Sequence, residues 1–285
     1  MTPDDRAGIR HRGVGNADRL SLEPIRSQAN PLIKDIRSLQ QRRKRYQERA
    51  FVVEGARLVE DVFASGIEAR HIVLREDVAD RLLPTIPESS RLRVRIADEA
   101  VFASLSDVPH PQGILAVVPM LEASLERLDA LAAPLVMVAA GVRDPGNLGT
   151  LFRSAAGAGV DHVFLADDSV DPYNPKVVRA AMGCHFRVSF SSIDTDGLAN
   201  VLSSYHVTGL AEADGECAYD NVDWTGSSAI IVGGEAAGAS DAVRELATVR
   251  VRIPLAHGVE SLNAAVAGSL MVFEAARQRR ATILA

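Results

Sequence analysis

Cysteine is scarce in this sequence, and its scarcity narrows the class of protein. Only Cys184 and Cys217 occur among 285 residues, and they have neither the spacing of metal ligands nor the density of a disulfide scaffold. The seven histidines are scattered, without the H-x-x-x-H spacing of a zinc site. No apolar run reaches the roughly 18 residues that a membrane-spanning helix needs. These absences predict a metal-free protein of the reducing cytoplasm.

The motifs of common nucleotide-dependent enzymes are also missing. Gly141, Gly146 and Gly149 follow an apolar run but do not give the G-x-G-x-x-G fingerprint of dinucleotide binding. Neither a P-loop nor a G-x-S-x-G nucleophile elbow occurs in the chain. A dinucleotide-dependent enzyme is therefore the weaker interpretation.

The net charge of −6 hides an uneven distribution. Residues 1–50 hold twelve Lys and Arg against six Asp and Glu, a balance of +6, so the other 235 residues carry −12. A basic end on an acidic body favours contact between that end and a polyanion. The alternative is a solvated arm whose basic residues only cap a helix end. The candidate phosphate-binding residues are Lys34, Arg37, Arg42, Arg43, Lys44 and Arg45.

The length of the chain suggests two domains. Residues 1–24 mix charge, glycine and proline without periodicity, which predicts a mobile arm. Strand and helix patterns alternate over residues 25–119, which is typical of a small α/β domain. Residues 120–133 are interpreted as a linker to a second α/β domain over residues 134–285.

A basic helix is predicted early in the first domain. Asn30-Pro31 has the sequence of a helix start, and Leu32, Ile36 and Leu39 follow at helical spacing. The helix is predicted to run on into the basic residues 41–45.

The second domain begins with a β-turn-α-β unit. Leu135 to Ala140 is an apolar run typical of a strand buried on both faces, and Asn147 is predicted to cap the following helix. Val160 to Ala166 is the second strand of the unit. Arg153 lies among Leu, Phe and Ala in the helix, so a buried guanidinium there would need a partner. The alternative is an ordinary strand-helix unit with a solvated Arg.

Polar residues follow three apolar strands of this second domain. They lie at Asp144–Asn147, at Gly233–Glu235, and at Pro254 with Ser261–Asn263. The carboxyl ends of parallel strands share one edge of a sheet, which is where ligands bind in α/β proteins. Gly233-Gly234 would allow a ligand to approach the backbone closely. The sequence therefore predicts one ligand site built from these three segments.

The same segments resemble a known family. Residues 144–153 (DPGNLGTLFR), 231–238 (IVGGEAAG) and 253–255 (IPL) with 260–266 (ESLNAAV) are similar to the three ordered motifs of the TrmH/SpoU family. These are SPOUT-superfamily methyltransferases that act on the ribose 2′-hydroxyl of RNA. Residues 51–55 and 111–113 are similar to the ribosomal-protein-like RNA-binding domain that many members carry.

The resemblance implies an architecture and a cofactor. The fold class would be α/β, with a C-terminal SPOUT domain that ties a deep trefoil knot and a smaller N-terminal RNA-binding α/β domain. S-adenosyl-L-methionine would bind in the knot, without a metal. The implied cofactor-binding residues are Leu210, Ala211, Gly233, Gly234, Glu235, Ile253, Leu255, Ser261, Leu262 and Asn263.

The resemblance also implies catalytic residues and an assembly. Family members pair through the catalytic domain, so we expect a homodimer. Ala236 departs from the more usual family residue beside Glu235. The implied catalytic residues are Asn147, Arg153, Glu235, Ser261 and Asn263, and the helix face expected at the dimer contact holds Ala264, Ala267, Gly268, Met271 and Ala275.

The expected function is methylation of a ribose 2′-hydroxyl in structured RNA, with large-subunit rRNA as the expected substrate. Some family members confer antibiotic resistance in this way, and resistance to a ribosome-targeting drug is part of the hypothesis. The alternatives are a tRNA 2′-O-methyltransferase and a non-catalytic RNA-binding paralogue. Intact Asn147, Arg153, Ser261 and Asn263 disfavour the paralogue.

Overall fold

The computed structural model describes residues 23–121, 123, 125–235 and 238–284. Almost all of the arm predicted for residues 1–24 lies outside the described residues, as does Ala236. All the strands that the structure describes belong to two sheets, one in each half of the chain. In the same residues, no helix is both long and apolar enough to cross a membrane.

The first half forms a mixed four-stranded sheet with the order β1-β4-β2-β3. β4 lies between β1 and β2 and is antiparallel to both, whereas β2 and β3 are parallel. The strands are β1 (Ala50–Glu54), β2 (His71–Arg75), β3 (Val94–Ala97) and β4 (Ile114–Pro119). The helices are α1 (Pro31–Ser38), α2 (Arg42–Glu48), α3 (Ala56–Ala64), α4 (Ala79–Leu82) and α5 (Glu99–Ala103), and 3-10 turns span Glu76–Val78, Leu83–Thr85 and Glu88–Arg93.

The second half forms a seven-stranded sheet in which every neighbouring pair is parallel. The strands are β5 (Leu135–Ala140), β6 (His162–Ala166), β7 (Ser189–Ser192), β8 (Val207–Ala211), β9 (Cys217–Ala218), β10 (Ser228–Gly233) and β11 (Val249–Arg252). Their order is β7-β6-β5-β10-β8-β11-β9, which confirms an α/β fold with a parallel sheet. The helices are α6 (Glu126–Asp129), α7 (Pro145–Ala158), α8 (Pro175–Ala181), α9 (Thr195–Leu202), α10 (Asp241–Arg244) and α11 (Ala264–Leu284), with 3-10 turns at Cys184–Phe186 and Tyr219–Asn221.

The prediction of one continuous basic helix over residues 30–45 is wrong, because this segment forms two helices. The chain forms α1 and then α2, because the Arg45 guanidinium turns back and donates to the Leu39 and Gln40 carbonyls, each at 2.8 Å. These carbonyls lie just past the end of α1, where no further helical turn supplies donors. One arginine of the basic run therefore ends the preceding helix.

Two other segments differ from their predicted bounds. The strand predicted over Phe186–Phe190 is a 3-10 turn followed by β7, because Met182 and Gly183 both adopt left-handed backbone angles and redirect the chain. The last strand was predicted to run to Leu255 but ends at Arg252. The longer loop after Arg252 leads to the polar segment that precedes α11.

The two sheets pack against each other through a shared apolar core. The Phe51 ring of β1 lies 4.8 Å from the Tyr173 ring, and the rings of Phe51 and Phe186 are stacked at 6.5 Å. Ion pairs flank this contact: Arg187 lies 3.0 Å from Asp61, and Arg179 pairs with Asp107. The first half is therefore held firmly on the second.

A buried ion pair reinforces this contact. Arg45 Nε and Nη2 both donate to Asp171 Oδ2, the Nε bond measuring 3.1 Å, and the Tyr46 hydroxyl donates to Asp171 Oδ1 at 3.1 Å. The side chains of Arg45 and Asp171 are only 3% and 5% exposed. Arg45 is therefore not available to an RNA phosphate, and the prediction of a phosphate contact is wrong at this residue.

The small-residue face of α11 packs inside the protein. Met271 and Ala275 are fully buried, and a Cβ added to Gly268 would lie 2.7 Å from Leu151 Cδ2 of α7. This face was expected at a dimer contact, and that expectation is wrong, because α7 and β10 already cover it. Among the α11 side chains that the structure describes, the large apolar ones that are exposed are Val266, Leu270 and Phe273.

Candidate active site

The site lies where four neighbouring strands of the parallel sheet end. β5, β10, β8 and β11 are consecutive in the sheet, so the segments that follow them meet along one edge. The three polar segments singled out in the sequence follow β5, β10 and β11. The segment after β8 had not been predicted to contribute a charged side chain.

Asp144, and not Asn147, caps α7. The Asp144 carboxylate accepts from the Asn147 backbone N–H at 2.8 Å, and Pro145 occupies the first helical turn. The prediction that Asn147 is the N-cap is therefore wrong, because the helix begins three residues earlier. Because the cap is provided by Asp144, the Asn147 side chain points to other partners.

Side chains from the three segments form a hydrogen-bonded chain. Asn147 Nδ2 donates to Glu235 Oε1 at 2.6 Å, and Asn263 Nδ2 donates to Asn147 Oδ1 at 2.9 Å. Asn263 Oδ1 in turn accepts from the backbone N–H groups of Ala265 and Val266, so it caps α11. We call Glu235, Asn147 and Asn263 the polar triad. These hydrogen bonds fix the orientation of the Asn147 and Asn263 amides, since each amide donates from its nitrogen and accepts at its oxygen.

Glu235 is held as a carboxylate. Partial burial acts to raise its pKa, but hydrogen bonds from Asn147 and from the backbone N–H groups of Glu235, Arg143 and Asp144 outweigh that effect and lower the pKa below its ordinary value. A carboxylate only accepts, so it orients the Asn147 amide nitrogen towards itself. The triad is therefore set in one arrangement at neutral pH.

The glycine turn after β10 lies close against the turn after β5. A Cβ added to Gly234 would overlap the carbonyl group of Gly141, so no larger residue fits at position 234. Gly234 also pairs with Gly238 in a short antiparallel bridge. Both glycines line a cavity, so the turn presents its backbone groups to whatever binds there.

This cavity, of about 630 Å³, lies beside the polar triad. Its volume is within the range of small-molecule sites, about 300–1,000 Å³. Nine of the ten implied cofactor-binding residues line it: Ala211, Gly233, Gly234, Glu235, Ile253, Leu255, Ser261, Leu262 and Asn263. Leu210 does not, because its side chain is only 1% exposed and packs in the core on the other face of the sheet.

Sequence reasoning missed three charged residues that line the cavity, Glu212, Asp214 and Arg244. Glu212 directly follows β8, as Glu235 follows closely on β10, and this position was the available signal. Arg244 gave no signal, because its distance from the site in the sequence is closed only by the fold. Glu212 and Arg244 form an ion pair at 2.8 Å.

Arg153 is exposed on α7, a turn and a half beyond Asn147. It makes no hydrogen bond or ion pair with any residue that the structure describes, so the expectation of a buried, partnered Arg is wrong. Ser261 is also exposed, and the described residues give its side chain no hydrogen bond. Both side chains are therefore free to contact a molecule from outside.

The candidate phosphate-binding residues other than Arg45 remain at the surface. Lys34, Arg42 and Arg43 are exposed, and Arg42 lies over the Tyr46 ring at 5.5 Å. Lys44 is half-buried, and half-buried Arg37 donates to the Gln28 carbonyl at 2.9 Å. No group of three or more metal-ligating side chains occurs within the described ranges.

Comparison with known proteins identifies the family. A model of the SpoU rRNA Methylase family matches residues 134–273, and a model of the MRM3-like substrate binding domain matches residues 30–116. The 23S rRNA (guanosine(2553)-2'-O)-methyltransferase RlmP of Bacillus subtilis (strain 168) is 32% identical over 254 residues, 88% of this chain and 98% of that protein. The chain belongs to the SpoU rRNA methylase family. The resemblance to the TrmH/SpoU family is thereby confirmed.

Solved structures of SpoU relatives share the fold over nearly the whole chain. An AdoMet-bound rRNA methyltransferase from Sinorhizobium meliloti has a TM-score of 0.80 at 27% identity and covers 90% of this chain and 97% of its own. An RNA 2'-O ribose methyltransferase has a TM-score of 0.76 at 31% identity and covers 90% of this chain and 100% of its own. Both similarities include the N-terminal sheet as well as the parallel sheet.

Proposed function

We propose that this SpoU protein transfers the methyl group of S-adenosyl-L-methionine to a ribose 2′-hydroxyl of large-subunit rRNA. The observation that carries the proposal is the polar triad at the rim of the 630 Å³ cavity. It joins the three motif segments at the place where a bound cofactor and an RNA ribose would meet.

The cavity suits S-adenosyl-L-methionine. The tight Gly233-Gly234 turn exposes backbone groups to it, while Ile253, Leu255 and Leu262 give it apolar walls. Glu212 and Arg244 provide polar atoms that lack partners among the described residues. When bound, the cofactor supplies an electrophilic methyl group on a positively charged sulfur.

Arg153 is proposed to act on the RNA hydroxyl. A free guanidinium has a pKa above about 12, which makes it a poor base but a permanent positive charge. Placed beside a 2′-hydroxyl, it would stabilise the negative charge that develops as the oxygen attacks. Its exposure and its lack of a partner among the described residues suit a side chain whose partner arrives with the RNA.

The polar triad is proposed to position the reacting groups. Asn147 is held from both sides, by Glu235 and Asn263, so its amide cannot turn. Ser261 has a free hydroxyl beside this amide segment and is proposed to orient either the ribose or the cofactor. Fixed dipoles of this kind lower a barrier because they need no reorientation during the reaction.

RNA capture is assigned to residues 25–119, with the exposed Lys34, Arg42 and Arg43 and the half-buried Arg37 and Lys44 in contact with phosphates. The boundaries of 25–119, 120–133 and 134–285, the trefoil knot and the homodimer are kept as part of this proposal. Resistance to a ribosome-targeting antibiotic is a further prediction, tested by drug sensitivity of cells with and without the gene.

The proposal is tested by incubating the protein with labelled S-adenosyl-L-methionine and either rRNA or tRNA. A 2′-O-methyl group blocks alkaline cleavage of the adjacent phosphodiester, so partial alkaline hydrolysis locates the modified ribose. Transfer to rRNA with one alkali-resistant bond is expected. Transfer to tRNA instead would favour the tRNA enzyme, and cofactor binding without transfer to either RNA would favour the non-catalytic paralogue.

A further inference from the structure

The Glu212–Arg244 ion pair lies inside the cavity but outside the polar triad. Glu212 follows β8, and its backbone N–H donates to the Val251 carbonyl of β11 at 2.9 Å, which fixes its position. Arg244 ends α10, and its Nη1 lies 2.8 Å from Glu212 Oε1. The Glu212 side chain is only 11% exposed, whereas that of Arg244 is 41% exposed.

Each residue of the pair keeps one buried atom without a hydrogen bond. Glu212 Oε2 and Arg244 Nε have no hydrogen-bond partner within the described part of the chain. Arg250 Nη1 lies 3.8 Å from Oε2, which is beyond hydrogen-bond distance. A buried polar atom left unpaired is costly and uncommon in native proteins. Two such atoms in one ion pair that lines a cavity indicate a polar ligand group between them.

The chemistry of the two atoms selects among ligand groups. One is an acceptor and the other is a donor, so together they suit a group that both donates and accepts. An ammonium group only donates, and a carboxylate only accepts. Because Arg244 already balances the charge of Glu212, a charged ligand group gains little over a neutral one. A hydroxyl, or a pair of adjacent hydroxyls, satisfies both atoms.

The position of the pair separates it from the reacting groups. β8 is two strands away from β5 in the sheet, and neighbouring strands are about 4.8 Å apart, so Glu212 lies roughly 10 Å from the strand that leads to Asn147. The ligand group at Glu212 is therefore a part of the cofactor other than its methyl group. In S-adenosyl-L-methionine the ribose carries the only adjacent hydroxyls.

We propose that Glu212 and Arg244 bind the ribose hydroxyls of the cofactor, with Glu212 Oε2 accepting from one hydroxyl and Arg244 Nε donating to a hydroxyl oxygen. This inference rests on the proposed function, because it takes the ligand of the cavity to be S-adenosyl-L-methionine. It assigns cofactor recognition to two side chains, in addition to the backbone groups that line the cavity.

Calorimetric titration of the full-length protein with S-adenosylhomocysteine and its 2′-deoxy and 3′-deoxy forms tests the inference. In the unmodified protein, removing the hydroxyl bound by Glu212 should weaken binding about tenfold or more, since the bond is to a charged group. Glu212→Gln should bind the parent compound about tenfold more weakly. The deoxy form and the parent compound should then bind Glu212→Gln almost equally.

Glu216→Gln is the matched control. Glu216 pairs with Arg250 at 2.7 Å, is 68% exposed and does not line the cavity, so its replacement should leave all three affinities unchanged. Thermal unfolding without ligand establishes that Glu212→Gln is folded, and Arg244→Gln gives a second variant with the same expected pattern.

The outcomes separate this inference from the proposed function. Binding of S-adenosylhomocysteine with no penalty for either deoxy form would overturn the role of the ion pair and leave the proposed function standing. Equal deoxy penalties in the unmodified protein and in Glu212→Gln would do the same. Failure of the unmodified protein to bind S-adenosylhomocysteine at all would overturn both.

Discussion

The Asn147 amide donates to Glu235 at 2.6 Å, although 88 residues separate the two along the chain. The contact exists because β5 and β10 are neighbouring parallel strands whose carboxyl ends coincide, with Gly233 opposite Ala140. Each strand then turns within a few residues and brings its polar side chain to the same edge. The arrangement of the candidate site is thus a direct result of strand register.

Replacing Arg153 with Ala should reduce methyl transfer at least about a hundredfold, because the charge proposed to stabilise the developing alkoxide is lost. The exposed side chain has no partner among the described residues, so the free energy of unfolding should change by less than about 0.5 kcal/mol. Single-turnover transfer to rRNA measures the loss of activity, and chemical denaturation measures stability. Turnover near normal in Arg153→Ala would remove this residue from the mechanism, and Arg153→Lys should recover part of the loss.

Replacing Arg42, Arg43 and Lys44 together with Gln should weaken RNA binding and reduce its dependence on salt. Each phosphate contact contributes about 0.7–0.9 to the slope of log affinity against log salt, so the slope should fall by about two. Arg81→Gln changes an exposed charge on α4 and serves as the control. Parallel plots for the triple variant and the unmodified protein would show that α2 makes no phosphate contact.

Replacing Arg45 with Gln should destabilise the protein by about 3–5 kcal/mol, since Asp171 would be left as a buried charge without its partner. Chemical denaturation measures the loss. Arg43→Gln is the natural comparison, because it removes the same charge two residues away at an exposed position. Similar stability of the two variants would contradict a structural role for Arg45.

The proposed homodimer should depend on the exposed apolar residues of α11. Leu270 and Phe273 are 40% and 46% exposed, and a carboxylate there could not be buried in an interface. Leu270→Glu combined with Phe273→Glu should therefore shift sedimentation from dimer to monomer at micromolar concentration. Leu92→Glu, at a residue 76% exposed in the first half of the chain, should leave the dimer intact. A double variant that still sediments as a dimer would place the interface elsewhere.

Two buried histidines should make stability fall in mild acid. Burial lowers the pKa of both His162 and His185 from 6.5 to about 4, so between these values the unfolded chain binds protons that the folded protein excludes. The free energy of unfolding should therefore decrease as the pH falls from about 6.5 to 4, by up to about 1.4 kcal/mol per pH unit for each histidine. Urea denaturation at pH 7, 6 and 5 measures this slope.

The histidine variants provide the check. His162 is fully buried between the hydroxyls of Ser189 and Ser191, at 3.0 and 2.9 Å. His162→Gln should reduce the slope of the free energy of unfolding against pH by the contribution of one histidine. His206→Gln, at an exposed position, should keep the full slope. An unchanged slope in His162→Gln would show that this residue is not the source of the acid sensitivity.

The sequence predicted the parallel sheet because apolar runs and turn residues indicate its strands locally. It also predicted the convergence of the three motif segments, because the carboxyl ends of parallel strands share one edge of a sheet. It could not rank the arginines at positions 42, 43 and 45, which look alike in a basic run. The charged partner that makes Arg45 different from the others is Asp171, 126 residues away. Local patterns carry no information about such a partner.

Two errors have the same origin. The small-residue face of α11 was expected at a dimer contact, but α7 and β10 of the same chain occupy it. Arg244 was overlooked because only the packing of α10 near the ends of β8 and β11 brings it to Glu212. In both cases the missing information was which distant segment would lie alongside.

The buried contact between Arg45 and Asp171 has a consequence for which nucleotide of the RNA is methylated in the proposed mechanism. Arg45 belongs to α2, the helix with exposed cations, and Asp171 belongs to the loop that follows β6. The ion pair thus holds α2 against the half of the molecule that contains the parallel sheet. In the proposed mechanism the distance between the RNA phosphates bound by α2 and the methylated ribose is therefore fixed. An RNA stem that is one base pair longer or shorter would place a different nucleotide at the methylation site.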